Sequence, residues 1–191
     1  MQNYSLAPTR SAVINIILNH FCSDDFTLLD LGCGTGQLLS ELREHKPNCH
    51  LLGVDKSHNM VRYARNCEKD FEVVCADADY DDLGSIASES SVDAVVCCHS
   101  FPYYKNKIAV LTKLHNILTT GGIAIFVQAS INTLYDKLVL RVVEATAEKA
   151  DYLSCKEFRA LIEDHFDLME EFSIRERFFM PSICGFVMRK R

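Results

Sequence analysis

The sequence predicts an α/β fold in which a doubly wound, mostly parallel sheet carries helices on both faces. Strand-like apolar runs alternate with segments of helical periodicity at least four times along the 191 residues. The run Val92–Cys98 is almost continuously apolar, which is typical of a strand that is covered on both faces. The chain shows no internal repeat and no linker-like stretch, so residues 1–191 are expected to form a single domain.

The first half of the chain contains four predicted strands with helical segments between them. The strands are expected at Phe26–Leu31, Leu51–Val54, Phe71–Ala76 and Val92–Cys98. The helices are expected at Thr35–Glu44, at Ser57–Lys69 with Ser57 as the N-cap, and weakly around Leu83–Ala87. Strands joined in this way through helices are predicted to run parallel.

The middle of the chain continues this alternation. Apolar residues recur at helical spacing through Lys105–Leu118, and the pair Gly121-Gly122 is expected to end that helix. Ile123–Val127 is predicted as a fifth strand. Ile131–Ala150 predicts a longer helix with one wide apolar stripe.

The last third of the chain changes its pattern. Ser154 and Glu157 match a capping box, which predicts that a helix begins there. Leu168–Arg177 and Phe178–Arg189 are predicted as two strands, with Met180-Pro181-Ser182 as the turn or bulge between or within them. Two strands with so short a connection must pair antiparallel.

Composition excludes some classes of protein. The net charge is −6, and the only basic cluster is the tail 189–191, so a nucleic-acid partner is not expected. The nine cysteines are an odd number and contain no C-x-x-C pair, which favours buried, reduced thiols in a cytoplasmic protein. The seven histidines show no metal-ligand spacing, so no metal site is predicted. The run Val13–Leu18 is too short for a signal sequence or a membrane span.

A glycine-rich turn follows the first predicted strand in the stretch LLDLGCGTGQLL. Gly32, Gly34 and Gly36 leave a bare backbone whose N–H groups a ligand can approach closely. The spacing is G-x-G-x-G and differs from the G-x-G-x-x-G of dinucleotide sites. Asp30 directly before the turn would repel a phosphate and would suit a cationic group. An alternative role for Asp30 is to cap the turn.

Two further carboxylates end the next strands. Asp55 follows Gly36 by 19 residues and can accept hydrogen bonds from both hydroxyls of a ribose. Asp77, followed by Ala78, can accept a hydrogen bond from an exocyclic amine, although Asp79 competes for this role. A ligand that combines a cationic amino-acid end, a ribose and an amino-bearing base is S-adenosyl-L-methionine, which is therefore the expected cofactor.

Several segments also carry a family resemblance. They are LDLGCGTG at 29–36, GVDKSHNM at 53–60, CADA at 75–78, VDAVVCCHS at 92–100 and LHNILTTGGIAIFV at 114–127. In this order and spacing they resemble the successive motifs of the class I S-adenosylmethionine-dependent methyltransferases. The resemblance covers about residues 10–190. It implies a seven-stranded sheet of order 3-2-1-4-5-7-6 whose last strand is antiparallel.

The resemblance implies a role for each residue of the motifs. Asp30, Gly32, Cys33, Gly34 and Gly36 are expected along the methionine half of the cofactor, and Asp55 at the ribose. Met60 or Lys56 is expected near the adenine, Asp77 and Ala78 at its amino group, and Cys98 and His99 near the sulfonium. Core packing is the alternative role for Met60.

The loop after the fourth strand is the expected place for the methyl acceptor, because ligands of doubly wound sheets bind beyond the carboxyl ends of the strands. His99 and Tyr103 are the candidate catalytic residues, His99 as a general base or orienting group and Tyr103 through its hydroxyl or ring. The alternatives are a backbone hydrogen bond for His99 and surface packing for Tyr103. Ser100-Phe101-Pro102-Tyr103 partly resembles the motif of amino-group methyltransferases, but Phe101 replaces the usual proline.

Two segments are candidate covers of the site. The helix predicted at 131–150 either covers a small acceptor or docks on the sheet as an ordinary crossover helix. The segment Tyr4-Ser5 is the second candidate, with disorder as the alternative.

The leading hypothesis is a methyltransferase that acts on a small-molecule acceptor by in-line displacement. The alternatives are a methyltransferase acting on a protein or nucleic-acid amine and a catalytically silent domain that binds the cofactor for regulation. A nicotinamide dehydrogenase is disfavoured by the glycine spacing. The sequence does not identify the acceptor or its reacting atom, and it gives no signal for an oligomeric state.

Overall fold

The computed structural model of the protein describes residues 6–66, 70–144, 150–174 and 181–191. Within these residues, seven strands form one sheet in the order β3-β2-β1-β4-β5-β7-β6, which confirms the predicted fold. The strands are β1 (Thr27–Leu31), β2 (His50–Asp55), β3 (Glu72–Cys75), β4 (Val92–Cys98), β5 (Leu118–Ala129), β6 (Phe166–Ile174) and β7 (Ile183–Lys190).

Six α-helices and two short 3₁₀ helices connect the strands in the described part of the chain. The α-helices are α1 (Ala7–His20), α2 (Gln37–His45), α3 (His58–Arg65), α4 (Lys107–Ile117), α5 (Leu134–Glu144) and α6 (Cys155–Ile162). The 3₁₀ helices are Leu83–Ser85 and Phe101–Tyr103. None of the helices in these ranges is long and apolar enough to span a bilayer.

The direction of the strands places the site. Strands β1 to β5 are parallel, so their carboxyl ends meet at one edge of the sheet. Strand β7 pairs antiparallel with β5 and with β6. The prediction that the last strand is antiparallel is therefore confirmed.

Helices cover both faces of the sheet and bury their apolar sides against it. On one face, α1, α2 and α3 contribute buried side chains such as Ile17, Leu39 and Val61. On the other face, α4 and α6 contribute Leu111 and Phe158 among others. The alternating side chains of β4 and β5 are buried in both cores, which explains why these strands are almost continuously apolar.

The structure differs from the sequence prediction where α4 meets β5. Helix α4 ends at Ile117 and β5 begins at Leu118, so Gly121-Gly122 lies within the strand and does not end the helix. The pairing of Val92 with Leu118 shifts before Ala94 pairs with Ile123, which marks an irregularity in the ladder. Gly121 has a φ of +79°, and this conformation suits an irregular strand.

The helix predicted over 131–150 is shorter at its beginning. It begins at Leu134, because Thr133 and Asp136 cap it reciprocally: Asp136 Oδ2 accepts from the Thr133 N–H (2.8 Å), and Thr133 Oγ1 accepts from the Asp136 N–H (3.1 Å). Residues 145–149 lie outside the described residues.

Other differences concern the ends of elements. Helix α3 ends at Arg65 where the prediction extends to Lys69, and residues 67–69 are outside the described part. The last two strands are Phe166–Ile174 and Ile183–Lys190, and the turn expected at 180–182 falls partly in the undescribed residues 175–180. The capping roles of Ser57 and of Ser154 with Glu157 are confirmed. Helix α1 is present in the structure but was not predicted from the sequence.

Candidate active site

The glycine-rich turn lies between β1 and α2, at the carboxyl edge of the sheet. Gly32, Gly34 and Gly36 all have positive φ values, of +79°, +56° and +72°, which side chains rarely adopt. A Cβ at Gly32 would collide with the side chain of Ser100. The backbone N–H groups of Gly32 and Cys33 both donate to the Val54 carbonyl, at 2.7 and 3.0 Å. These contacts hold the turn against the end of β2.

Asp55 links the glycine turn to α3. Its Oδ2 accepts from the Gly34 N–H (2.8 Å) and its Oδ1 accepts from the Ser57 N–H (2.8 Å). A carboxylate has about four lone-pair sites, so each oxygen keeps capacity for another hydrogen bond. Asp55 is half-buried at the tip of β2, with both oxygens already oriented.

Two adjoining cavities lie over the carboxyl ends of the strands. We name them the β3 lobe, of about 390 Å³, and the α1 lobe, of about 430 Å³. Both are lined by Gly32, Asp55, Met60, Cys98 and His99, so the two lobes meet along these residues. Their size is that of small-molecule sites.

The structure brings most of the predicted site residues together at these lobes. Lys56, Asp77, Ala78 and Tyr103 line the β3 lobe, and Asp30, Cys33 and Gly34 line the α1 lobe. Gly36 is the exception, because it lines neither lobe. It is the N-cap of α2, and a Cβ there would lie 2.9 Å from the Phe71 ring. Packing therefore explains this glycine.

Asp30 is a buried carboxyl in the α1 lobe. It is 3% exposed. Desolvation, with a smaller contribution from the charge of Asp55, raises the pKa of Asp30 to about 7. A cation placed beside this group would stabilise its charged form and lower the pKa again.

Asp77 and Asp79 have different partners. Asp79 accepts hydrogen bonds from the Lys105 N–H (2.9 Å) and the Asn106 N–H (3.0 Å), and it thereby fixes the segment before α4. Asp77 accepts a local bond from the Asp79 N–H at 3.0 Å. Both line the β3 lobe, but backbone donors from a second segment already engage Asp79. This difference favours Asp77 as the carboxylate that is available to a ligand.

His99 occupies a strained position directly after β4. Its φ is +60°, its N–H donates to the Val127 carbonyl (2.7 Å), and its Nε2 lies 3.2 Å from Thr9 Oγ1. Burial lowers the pKa of His99 to about 4, so the imidazole is neutral at neutral pH. A neutral imidazole at the junction of the two lobes can accept a hydrogen bond, whereas a pKa of about 4 makes it a weak base.

The residues after His99 connect the loop that follows β4 to the glycine-rich turn. Ser100 Oγ donates to the Leu31 carbonyl (2.8 Å) and accepts from the Tyr104 hydroxyl (3.2 Å). Phe101 and Pro102 are buried, and Phe101 packs edge-to-face on Phe126 and Phe158. Tyr103 is half-buried. The segment therefore anchors the loop in the core through Phe101.

Helix α1 supplies two lining residues that sequence reasoning misses, Thr9 and Arg10. Arg10 is buried, and its Nε forms an ion pair with Glu41 Oε1 at 2.9 Å. The α1 lobe thus contains one buried cation and one buried carboxyl, Asp30. The helical spacing of Val13, Ile14 and Ile17 could have predicted α1, and Arg10 lies on the same face three residues before Val13.

Comparisons with known proteins bear on the family and the fold of the chain. The family model described as "Methyltransferase domain" matches residues 29–124, half of the chain, from the strand before the glycine turn to β5. The carboxy-S-adenosyl-L-methionine synthase of Nautilia profundicola is 31% identical over 109 residues, which are 56% of this chain and 46% of that protein.

Another relative is the malonyl-[acyl-carrier protein] O-methyltransferase of Priestia megaterium, 24% identical over 116 residues, which are 60% of this chain and 40% of that protein. The chain thus spans less than half the length of these two relatives.

The fold also matches a solved structure. A chain of the complex between the Haloferax volcanii Trm112 methyltransferase activator and a putative methyltransferase superposes with a TM-score of 0.78 at 18% identity. The match covers 97% of this chain and 92% of that one, and it shows the shared fold. With the family model matched over half of its length and the seven-stranded sheet in the expected order, the chain belongs to the class I S-adenosylmethionine-dependent methyltransferases.

Proposed function

We propose that the protein transfers a methyl group from S-adenosyl-L-methionine to a small-molecule acceptor by in-line displacement. The observation that carries the proposal is the pair of joined lobes at the carboxyl edge of the sheet. One lobe contains a buried carboxyl and a buried cation, and the other contains strand-end carboxylates beside apolar side chains. This combination is complementary to a zwitterionic amino acid joined to a nucleoside.

The β3 lobe fits the nucleoside end. Asp55 has its oxygens oriented by two backbone donors and keeps lone pairs for the two ribose hydroxyls. Asp77 and the backbone of Ala78 would recognise the adenine amino group and its ring edge. Met60 and the stem of Lys56 supply apolar surface for the ring. Met60 is half-buried and lines both lobes, so it is not an ordinary core residue.

The α1 lobe fits the amino-acid end. The Asp30 carboxyl would accept the ammonium group, and the Arg10 guanidinium would bind the carboxylate. A Cβ at Gly34 would meet no other atom of the described chain within 4 Å, so the bare backbone there leaves open space for the donor between the Asp30 carboxyl and the Arg10 guanidinium. At Gly32 a Cβ would collide with Ser100, so packing also requires a glycine at that position. The α1 lobe therefore offers one partner for the ammonium group of the donor and one for its carboxylate.

The chemistry of the donor is a sulfonium methyl group that is already activated toward a nucleophile. The chain's own contribution is then alignment and exclusion of water. His99, neutral and fixed by Thr9, is placed to orient the acceptor through a hydrogen bond. Tyr103 borders the same lobe and would contact the acceptor through its ring or hydroxyl.

A small acceptor is supported by the site and by a relative. The described lining of the lobes contains two basic residues, Arg10 and Lys56, which is less than a nucleic-acid backbone requires. The malonyl-[acyl-carrier protein] O-methyltransferase relative is named for a malonyl group, which supports a small acceptor here. Phe101 and Pro102 are buried in the core, so the Ser100-Phe101-Pro102-Tyr103 segment gives little support to an amine acceptor.

Helix α5 as an acceptor cover stays part of this proposal. Leu134, Tyr135 and Leu138 are exposed on one side of the helix, whereas Asp136 and Leu140 are buried on the other. The described residues of α5 line neither lobe, so any covering role requires the helix to move.

A cytoplasmic location is supported by the eight free cysteines in the described part of the chain.

A labelling experiment tests the proposal. The protein is incubated with S-adenosylmethionine labelled on its methyl carbon and with an extract separated into small-molecule and macromolecular fractions. We expect the label in the small-molecule fraction, and we expect His99→Ala to lower its rate of transfer more than the affinity for the donor. Label that goes to the macromolecular fraction supports the protein or nucleic-acid alternative. Donor binding without any transfer supports a regulatory domain.

A further inference from the structure

Three elements meet at two buried cysteines outside the lobes. Cys155 is the first residue of α6, and Cys184 is the second residue of β7. They are 8% and 5% exposed, and neither lines the β3 lobe or the α1 lobe. Asn132, just before α5, contacts both of them.

The two thiols are in direct contact. Cys155 Sγ donates to Cys184 Sγ at a distance of 2.8 Å. This is about 0.8 Å longer than the roughly 2.04 Å sulfur–sulfur bond of a disulfide. Both cysteines are free in this structure. The geometry therefore needs only a small approach of the two sulfur atoms to form a bond.

Hydrogen bonds hold the elements that carry these thiols. Asn132 Nδ2 donates to Cys184 Sγ (3.2 Å), and Asn132 Oδ1 accepts from the Cys155 N–H (3.0 Å). Asp136 Oδ1 accepts from the Ser182 N–H (2.8 Å), and its Oδ2 accepts from the Asn132 N–H (3.2 Å). The starts of α5, α6 and β7 are thus linked by side chains, and the sulfur contact belongs to an ordered network.

We propose that Cys155 and Cys184 are a redox-modification site. Their thiols react with a low-molecular-weight disulfide such as oxidised glutathione, and the product is a disulfide bond between the two cysteines. The thiolate of one cysteine attacks glutathione disulfide, which forms a mixed disulfide and releases one reduced glutathione. The second thiol, after losing its proton, displaces the other glutathione. Two protein thiols are oxidised by two electrons, and one glutathione disulfide is reduced to two glutathione molecules.

The bond would fasten α6 to β7 beside the beginning of α5. Because it would close a loop of about 30 residues, it would lower the entropy of the unfolded chain and stabilise the fold. We expect a rise in Tm on the order of 5–10 °C. Burial and the neighbouring Cys184 raise the pKa of Cys155 to about 12, so thiolate is scarce in the native protein and the exchange is slow there. The proposal does not rest on methyl transfer.

The test approaches equilibrium from both directions. Native protein is incubated in a glutathione redox buffer, and denatured protein is refolded in the same buffer, so that slow access to the buried thiols cannot hide the product. Remaining thiols are alkylated, and peptides are analysed by mass spectrometry with and without reduction. The variants are Cys155→Ser and Cys184→Ser, with Cys22→Ser as the control because Cys22 is exposed.

We expect a peptide link between Cys155 and Cys184 in the wild type and in Cys22→Ser, together with the higher Tm. Both should be absent from the two serine variants. The proposal is overturned if refolded protein retains both thiols free. Stable mixed disulfides with glutathione at these positions, or a link from either cysteine to another cysteine, would overturn it equally.

Discussion

At the scale of single residues, Asp55 connects the parts of the proposed donor site. Its two oxygens receive backbone hydrogen bonds from the glycine turn and from the start of α3, and it lines both lobes. Hydrogen bonds to a charged carboxylate contribute about 1.5–3 kcal/mol. The residue is therefore placed to hold the ligand and to join the two lobes.

Replacing Asp55 tests this role. We expect Asp55→Ala to weaken the binding of S-adenosylhomocysteine, the demethylated product, by roughly 10- to 150-fold, since it removes charge-assisted bonds worth about 1.5–3 kcal/mol. Calorimetric titration measures the change. Asp70→Ala, at an exposed position away from both lobes, is the matched control. An unchanged affinity in Asp55→Ala would remove Asp55 from the ligand site.

Arg10 allows a more selective test. We expect Arg10→Met to weaken the binding of S-adenosylhomocysteine by about 10- to 150-fold, because the carboxylate loses its charged partner. The same variant should bind methylthioadenosine, which has no amino-acid end, as the wild type does. Arg62→Met, an exposed arginine of α3, is the control. Equal losses for both ligands would show that Arg10 acts by holding the fold and not by binding the carboxylate.

The raised pKa of Asp30 predicts that the stability of the fold depends on pH. Because its pKa is raised to about 7 in the folded protein, the native state binds more protons than the unfolded state between the ordinary value of 3.8 and about 7. The stability contributed by this group is present below the unfolded pKa and is lost as pH rises through the folded one. We expect Asp30→Asn to remove this loss and to be more stable than the wild type at slightly alkaline pH. Urea unfolding at several pH values measures it, and a wild-type advantage there would contradict the assignment.

The same carboxyl links binding to proton release. A cationic ammonium beside Asp30 favours the ionised form, so binding below about pH 7 should release a proton.

The site residues ending β1, β2 and β3 could be predicted from the sequence, because strand ends of a parallel sheet share one edge. The spacing of Val13, Ile14 and Ile17 could have predicted the helix of Arg10, but not that Arg10 lines the α1 lobe, since only the packed structure defines where that helix lies.

At the scale of elements, the two capping signals of the sequence were confirmed. Ser57 and Ser154 cap α3 and α6 as expected, because their side chains satisfy backbone donors within three residues. The predicted end of α4 was wrong, because Gly121-Gly122 lies within an irregular strand whose pairing with β4 begins already at Leu118. Long-range pairing of this kind leaves no local pattern in the sequence.

Removing a cap should affect stability and not the ligand. We expect Ser154→Ala to lower the free energy of unfolding by about 1 kcal/mol, because it removes the hydroxyl that accepts from the Glu157 N–H at the start of α6. Urea unfolding gives the change, and the affinity for S-adenosylhomocysteine should stay at the wild-type value. A matching loss of affinity would mean that α6 is coupled to the lobes.

At the scale of the whole molecule, one sheet produces the site. Strands β1 to β4 end at the same edge and carry Asp30, Asp55, Asp77 and His99 at or just after their ends, so residues distant in sequence meet around one pair of cavities. Helix α1, which precedes β1 in the sequence, adds Thr9 and Arg10 to the lining of the α1 lobe. The alternation of strands and helices was enough to predict that these strand ends share one edge, and the family resemblance implied the strand order. The place of α1 and the acceptor depend on side chains that only the folded chain brings together.

The most direct measurement is a calorimetric titration of the wild-type protein with S-adenosylhomocysteine. The arrangement of the two lobes predicts saturable binding of one molecule per chain, with a proton released at slightly acid pH in buffers of different ionisation enthalpy. No saturable binding at any practical concentration of the ligand would contradict the central claim that these strand ends form a donor pocket.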